Sequence, residues 1–177
     1  MDKLHLKEKA KYEQLHSHMD YSSKSIPWLL DILRAEKLYG KCLELGCGNG
    51  QVVHTLQREG IDITGMDITL AGIRYPGGYR EATIWDMPWK AKLFDFTFST
   101  DVLEHLPPSK VAQAINEINR ITKHKTIHII ATWEDNPYLG HVTHLTVKPI
   151  SWWAAMFKVC DCKVQLIERT KYGYNTI

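Results

Sequence analysis

Little in this sequence is extreme, and each shortage removes a class of function. Cysteine is scarce, at four in 177 residues, and Cys42, Cys47, Cys160 and Cys162 do not make a disulfide framework. Cys160-Asp161-Cys162 is spaced too tightly for the usual zinc knuckle. No apolar run approaches the roughly 18 residues that a membrane-spanning helix needs. The opening residues, Met1 to Lys9, are too polar for a secretory leader. A cytoplasmic address with no membrane partner is therefore expected. Neither sign of charge dominates: 22 lysines and arginines stand against 20 aspartates and glutamates, a net +2. That balance supplies little of the basic surface a duplex-binding protein needs. The remainder, 44% hydrophobic and 24% charged, suits a globular chain with one core.

Glycine is not abundant either, at 11 residues, yet Gly46, Gly48 and Gly50 crowd together. They close the stretch Cys42-Leu43-Glu44-Leu45-Gly46-Cys47-Gly48-Asn49-Gly50, a short apolar run that carries an acid just before the turn. Alternate glycines remove side chains, so a turn can tighten and the backbone can lie against a bound ligand. A dinucleotide-binding turn would want its third glycine where Gln51 stands. No Gly-Lys-Ser/Thr of a phosphate loop is present. Glu44 would repel a pyrophosphate and suits a ligand carrying an amine and a sulfonium. Alone, the glycines are equally compatible with a plain strand-to-helix turn.

Hydrophobic periodicity divides the chain into two helices over 1–40 and a strand–helix alternation over 41–177. The helices join near Met19 to Ser23, and Ser25 before Ile26-Pro27 reads as a cap. Strands are expected over 41–45, 61–66, 82–85, 94–100, 126–132 and 163–169. Helices are expected over 51–59, stopped by Gly60, from Val111 through Ile121, and over 151–157. Such alternation calls for a parallel sheet covered on both faces, with ligands outside the carboxyl ends of its strands.

Three ordered motifs then resemble one family. Glu44-Leu45-Gly46-Cys47-Gly48-Asn49-Gly50 resembles motif I of the class I S-adenosylmethionine-dependent methyltransferases. Gly65-Met66-Asp67-Ile68-Thr69 is similar to their second motif, and Phe94 to Ser99 with Asp101-Val102-Leu103-Glu104-His105-Leu106 is similar to their fourth-strand signature. The resemblance spans about residues 40 to 160. It implies a Rossmann-like α/β fold with a mainly parallel sheet, in one methyltransferase domain over 1–177 whose residues 1–40 form a helical cap. It implies S-adenosylmethionine as cofactor, held by Glu44, Gly46, Cys47, Gly48, Asn49, Gly50, Asp67, Ile68, Asp86, Met87, Thr100 and Asp101. Asp67 corresponds to the acid that takes the ribose hydroxyls, and Asp86 to the one that receives the adenine amino group. One of Trp85, Met87 and Trp89 is expected on the adenine face. Tyr12 and Tyr21 are candidates for the pocket wall.

Two departures from the family stand out. Only a short link, broken by Tyr75-Pro76-Gly77-Gly78, separates Asp67 from Asp86, so the second helix must be cut to a turn or two or be lost. The family's reversed seventh strand, inserted between strands five and six, has only Lys171 to Ile177 to form it. An incomplete C-terminal strand hairpin is expected, and its open edge leaves the chain a monomer or a homodimer.

The acceptor should face the long loop from Trp133 to His144. Thr143-His144 followed by Lys148-Pro149-Ile150-Ser151-Trp152-Trp153 resembles the acceptor-side loop of methyltransferases acting on small molecules. Histidine is the natural base for a hydroxyl acceptor. His144 and His105 are the catalytic candidates, with His141 beside them. Glu134, Asp135, His141 and His144 have metal-binding side chains but read as a solvated surface loop, so no metal is expected. The expected reaction is methyl transfer to oxygen or nitrogen of a small molecule such as a sugar or polar metabolite. A nucleic-acid methyltransferase competes, since Asp135-Asn136-Pro137-Tyr138 superficially resembles the base-clamping loop of amino-directed DNA enzymes; it follows the wrong strand. A non-catalytic cofactor-binding partner subunit is the third reading.

Overall fold

The computed structural model describes residues 3–18, 26–170 and the backbone of 173–176. Helices α1 (Lys3–His16) and α2 (Ile26–Ala35) come first; the expected roles of Tyr21 and Ser25 lie outside the described residues. The strands are β1 (Lys41–Leu45), β2 (Asp62–Asp67), β3 (Tyr79–Glu81), β4 (Phe94–Thr100), β5 (Thr122–Ala131), β6 (Lys163–Thr170) and β7 (Gly173–Thr176). Between them lie α3 (Gln51–Arg58), α4 (Val111–Ile121) and α5 (Ile150–Met156). They form one sheet in the order β3-β2-β1-β4-β5-β6-β7. The first six strands are parallel, and β7 runs antiparallel to β6. The order reverses between β1 and β4, and a crevice opens at such a switch point.

Alternation along each strand builds two cores, one per sheet face. Leu43 and Leu45 of β1 join the α4 and α5 side, where Ile115, Ile118, Ile121 and Trp153 are fully buried. Cys42 faces the other side, with Phe96, Phe98, Ile127 and Ile129 against Leu29, Leu33, Val53 and Leu56 of α2 and α3. The expected apolar face of α4 is buried as its 3.6-residue spacing required. A polar thread runs through β4 and β5, where Thr97 contacts Thr122 and Thr126, and His128 lies between Ser99 and Thr126. Ser99 and His128, 2.8 Å apart, have the spacing of a nucleophile and its base, yet both have no exposure. Burial pushes His128 down to about 3, so it is a neutral hydrogen-bonding group of the core.

One strand boundary needs correction, and two open expectations resolve to particular forms. The third strand covers 79–81 and ends one residue before the expected 82–85 begins, because Tyr79, Arg80 and Glu81 pair with Gly65, Met66 and Asp67. Beyond Glu81 the chain enters a turn that bridges Thr83 and Asp86. The helix between β2 and β3 is lost altogether among the described residues. Part of its place is taken by Tyr79, whose ring lies against Gly65 and Gly77 and whose hydroxyl reaches the carbonyls of Gly50 and Tyr75. Last, β5 pairs directly with β6 in parallel, and the reversed strand lies outside β6 at the sheet edge. The expected C-terminal hairpin is therefore short and peripheral, with no inserted strand.

Candidate active site

A cavity of about 380 Å³ opens at the carboxyl ends of β1, β2 and β4. Its floor is the glycine turn. Gly46 and Cys47 donate to the Met66 carbonyl at 2.8 and 2.9 Å, which seats the turn on the end of β2. Gly46 has φ +73, and a Cβ there would meet Val102 at 2.5 Å. Gly48 differs: it has φ +52 and nothing among the described residues within 4 Å of where its Cβ would be. It lines the cavity, so the space beside it is ligand space.

Two carboxylates flank this turn. Asp67 ends β2 and accepts from the Gly48 amide at 2.9 Å. Burial raises its pKa, against the opposing pull of neighbouring His16. Glu44 is buried at 3% exposure, and its Oε2 has no hydrogen-bond partner among the described residues. Burial, then the charge of Asp67, pushes it up to about 8. A carboxyl raised from 4.5 to about 8 binds its proton in the folded state, so its effect on stability is adverse above pH 4.5 and grows until about pH 8. Glu44→Gln is thus expected to raise the ligand-free Tm at pH 8 by several degrees, and hardly at pH 4.5. Thermal melts across that range check this; a lower Tm at pH 8 would contradict it.

The far end of the cavity is built by three segments. β4 ends in Thr100 and Asp101, and Asp101 takes φ +53, an unusual conformation for a residue other than glycine. Its carboxylate pairs with Arg169 of β6 at 2.6 Å, and the guanidinium lies over the Trp133 ring. His105 follows in a short 3₁₀ turn, Leu103–His105, and its Nδ1 is 2.8 Å from the Tyr12 hydroxyl of α1. Burial, then adjacent His144, pushes His105 down to about 3. The loop after β5 supplies Thr143 and His144. Asp135 clamps that loop by accepting from Thr143 N and Oγ1 and from His144 N at 2.6–3.0 Å. Despite burial, these bonds hold the Asp135 carboxyl below its ordinary value. The Trp133 carbonyl can only accept, so His144 Nδ1, 2.6 Å away, carries a proton, and Nε2 is the nitrogen left to act as base or ligand. The two histidine rings lie 5.0 Å apart.

Helix α1 closes the cavity from above through Glu8, Tyr12 and His16. It is pinned by the Tyr12–His105 contact, by Arg74 donating to the His16 carbonyl, and by Lys9 pairing with Glu81.

Most expected site residues meet here: Glu44, Gly46, Cys47, Gly48, Asn49, Asp67, Ile68, Thr100, Asp101, His105 and His144 all line the cavity, as does Tyr12. Gly50 sits behind the turn, where a Cβ would strike the Tyr79 hydroxyl. Asp86 does not reach the cavity. The early end of β3 and the Thr83–Asp86 bridge leave its side chain exposed. Met87 packs into the core, and of the three candidate adenine neighbours only Trp85 lines the cavity. His141 turns away to Gln14 at 2.9 Å, and Glu134 is exposed. Sequence reasoning missed Arg169, Thr83 and Glu104. Arg169 offers no local signal, because only the sheet order brings the end of β6, two strands from β4, within reach of Asp101.

A family model described as "Methyltransferase domain" matches residues 43–130. A curated relative, "Ubiquinone biosynthesis O-methyltransferase" of Pectobacterium carotovorum subsp. carotovorum, is 33% identical over 97 residues, covering 46% of this chain and 39% of that protein. The chain thus spans about two fifths of the length of such relatives. Among solved structures, a putative sarcosine dimethylglycine methyltransferase from Galdieria sulphuraria has TM-score 0.60 at 19% identity, over 82% of this chain and 61% of that one. The N-methyltransferase NodS from Bradyrhizobium japonicum, in complex with S-adenosyl-L-homocysteine, has TM-score 0.55 at 17% identity, over 66% and 68%. Among the described residues, no helix is long and apolar enough to cross a membrane.

Proposed function

Because this chain belongs to the class I S-adenosylmethionine-dependent methyltransferases, we propose that it moves a methyl group to a hydroxyl oxygen of a small polar molecule. The observation carrying this reading is His144, which lines the cavity while its Nδ1 is held by the Trp133 carbonyl. The cofactor supplies a methyl group on a positively charged sulfur, activated for a single in-line displacement. Residues 1–177 act as one methyltransferase domain, with α1 as a cap over the acceptor.

The residues present fit that cofactor. Glu44 has a buried oxygen without a partner among the described residues, suited to an ammonium group. Asp67 stands at the cavity edge with the Gly48 amide, suited to a ribose diol. The open side of Gly48 admits backbone contact, and Ile68, Ile84 and Trp85 offer apolar walls for a base. Asp86 has no part in this arrangement. Asp67→Ala is expected to weaken S-adenosylhomocysteine at least about tenfold, the loss of one charged hydrogen-bonding group. Calorimetry checks it, and unchanged affinity would remove Asp67 from the site.

At the other end, Asp101, His105 and His144 surround the acceptor, and Asp135 and Trp133 hold His144 in its tautomer. The hydroxyl oxygen forms the new bond to carbon as the carbon–sulfur bond breaks, its electron pair staying on sulfur. His144 would take the proton that this hydroxyl loses, while the cap shields the site from water. Incubation with methyl-labelled S-adenosylmethionine and a panel of phenols, sugars and amines tests the reading, with label expected on a hydroxyl compound. Label on DNA or RNA alone would transfer the assignment to nucleic acid. Firm cofactor binding with no label anywhere would favour a partner subunit.

A further inference from the structure

The 3₁₀ turn that carries His105 also carries Glu104, a residue the methyl-transfer reading does not use. Glu104 has no exposure. Its Oε1 accepts from the Ala131 amide at 3.1 Å, but Oε2 has no hydrogen-bond partner among the described residues. A buried carboxylate with an idle oxygen is costly unless a positive charge meets it. Asp101, an acid close enough to repel it, is already paired with Arg169. Beside Glu104 stands a pair of imidazoles: a carboxylate oxygen and one ring nitrogen from each of His105 and His144 fall within 4.8 Å of one another.

We propose that Glu104, His105 and His144 form a site for a divalent cation of the zinc class, at the acceptor end of the cavity. Two imidazoles and one carboxylate are a donor set that zinc and its neighbours accept, whereas magnesium and calcium prefer oxygen alone. Donor atoms of a tetrahedral zinc site lie about 3.3 Å apart, as bonds of about 2.1 Å require. The three atoms, already within 4.8 Å of one another, would close on the ion to reach that spacing. Both rings are already oriented from behind: Tyr12 holds His105 Nδ1 and the Trp133 carbonyl holds His144 Nδ1. Each Nε2 is thereby left for a metal, the usual outer support of a histidine ligand. Glu104 closes the buried side, while His105 and His144 line the cavity. The open side of the cation therefore faces the acceptor.

This inference rests on the methyl-transfer reading for what occupies that open side. An acceptor hydroxyl would bind there more readily in its ionised form, its proton released to bulk solvent on binding. The cation then stands between His144 and the acceptor oxygen, where otherwise the imidazole would meet the hydroxyl directly. Acceptors with two adjacent oxygens would be preferred, since the ion can expand from four to five positions and take both.

The test is titration of the chelator-treated full chain with cobalt(II), followed by visible absorption, and with zinc(II), followed by calorimetry. One equivalent is expected, with ligand-field bands in the visible range. Glu104→Gln, which keeps a carbonyl for the Ala131 amide, should remove it. Tyr12→Phe should weaken it about tenfold, as loss of an outer partner does. His141→Ala should change nothing. A thiolate charge-transfer band would move the ion to Cys160 and Cys162 and overturn the proposal. So would the absence of any saturable binding, or equal binding by Glu104→Gln. S-adenosylhomocysteine binding, measured separately, keeps a failure here distinct from a failure of the methyltransferase reading.

Discussion

Gly48→Val is expected to abolish S-adenosylhomocysteine binding while the protein stays folded. The two neighbouring glycines serve the turn itself: a Cβ at Gly46 would strike Val102, and one at Gly50 the Tyr79 ring. Gly48 has no such neighbour among the described residues, and it lines the cavity, so a side chain there would take up ligand space. A φ of +52 adds strain of about 1–2 kcal/mol to an L side chain. That is a fraction of the roughly 5–15 kcal/mol of a typical domain. The near-ultraviolet spectrum and a cooperative melt should survive, and calorimetry should show no heat of binding. Affinity within about threefold of the parent, under half of the 1.4 kcal/mol that makes a tenfold change, would mean that all three glycines serve only the turn.

His144→Gln is expected to lower turnover about 100- to 10,000-fold, the range for one acid–base group, with little change in cofactor affinity. Glutamine lacks the ring nitrogen that faces the acceptor, yet its backbone amide can still donate to the Asp135 clamp. His141→Gln is the matched control, because His141 bonds outward to Gln14, and its turnover should be unaltered. Turnover and S-adenosylhomocysteine affinity are measured on the same samples. If His144→Gln keeps full turnover, the loop histidine neither holds nor activates the acceptor.

The cofactor half of this site was legible because its signals are local. Strand β1 lies where its apolar run ended, the glycines mark their own turn, and Asp67 closes the next strand. Asp86 was misplaced because strand ends depend on pairing register. Tyr79 to Glu81 is a poor strand by composition, but Gly65 to Asp67 offers it partners. The acceptor half was legible only in part. His105 and His144 were identified singly, but their approach to Glu104 depends on a loop clamped by Asp135, remote from Glu104 along the chain. The edge position of β7 was hidden for a related reason, since either order leaves the same hydrophobic pattern in β5 and β6.

The most direct test of the central claim is calorimetric titration of the unmodified protein with S-adenosylhomocysteine, with a nicotinamide dinucleotide as comparison. The account predicts one equivalent bound, a Tm rise at saturating ligand, and no heat from the dinucleotide. At 100 times Kd the stabilisation should be about 2.7 kcal/mol. Binding of the dinucleotide with none of S-adenosylhomocysteine would contradict it.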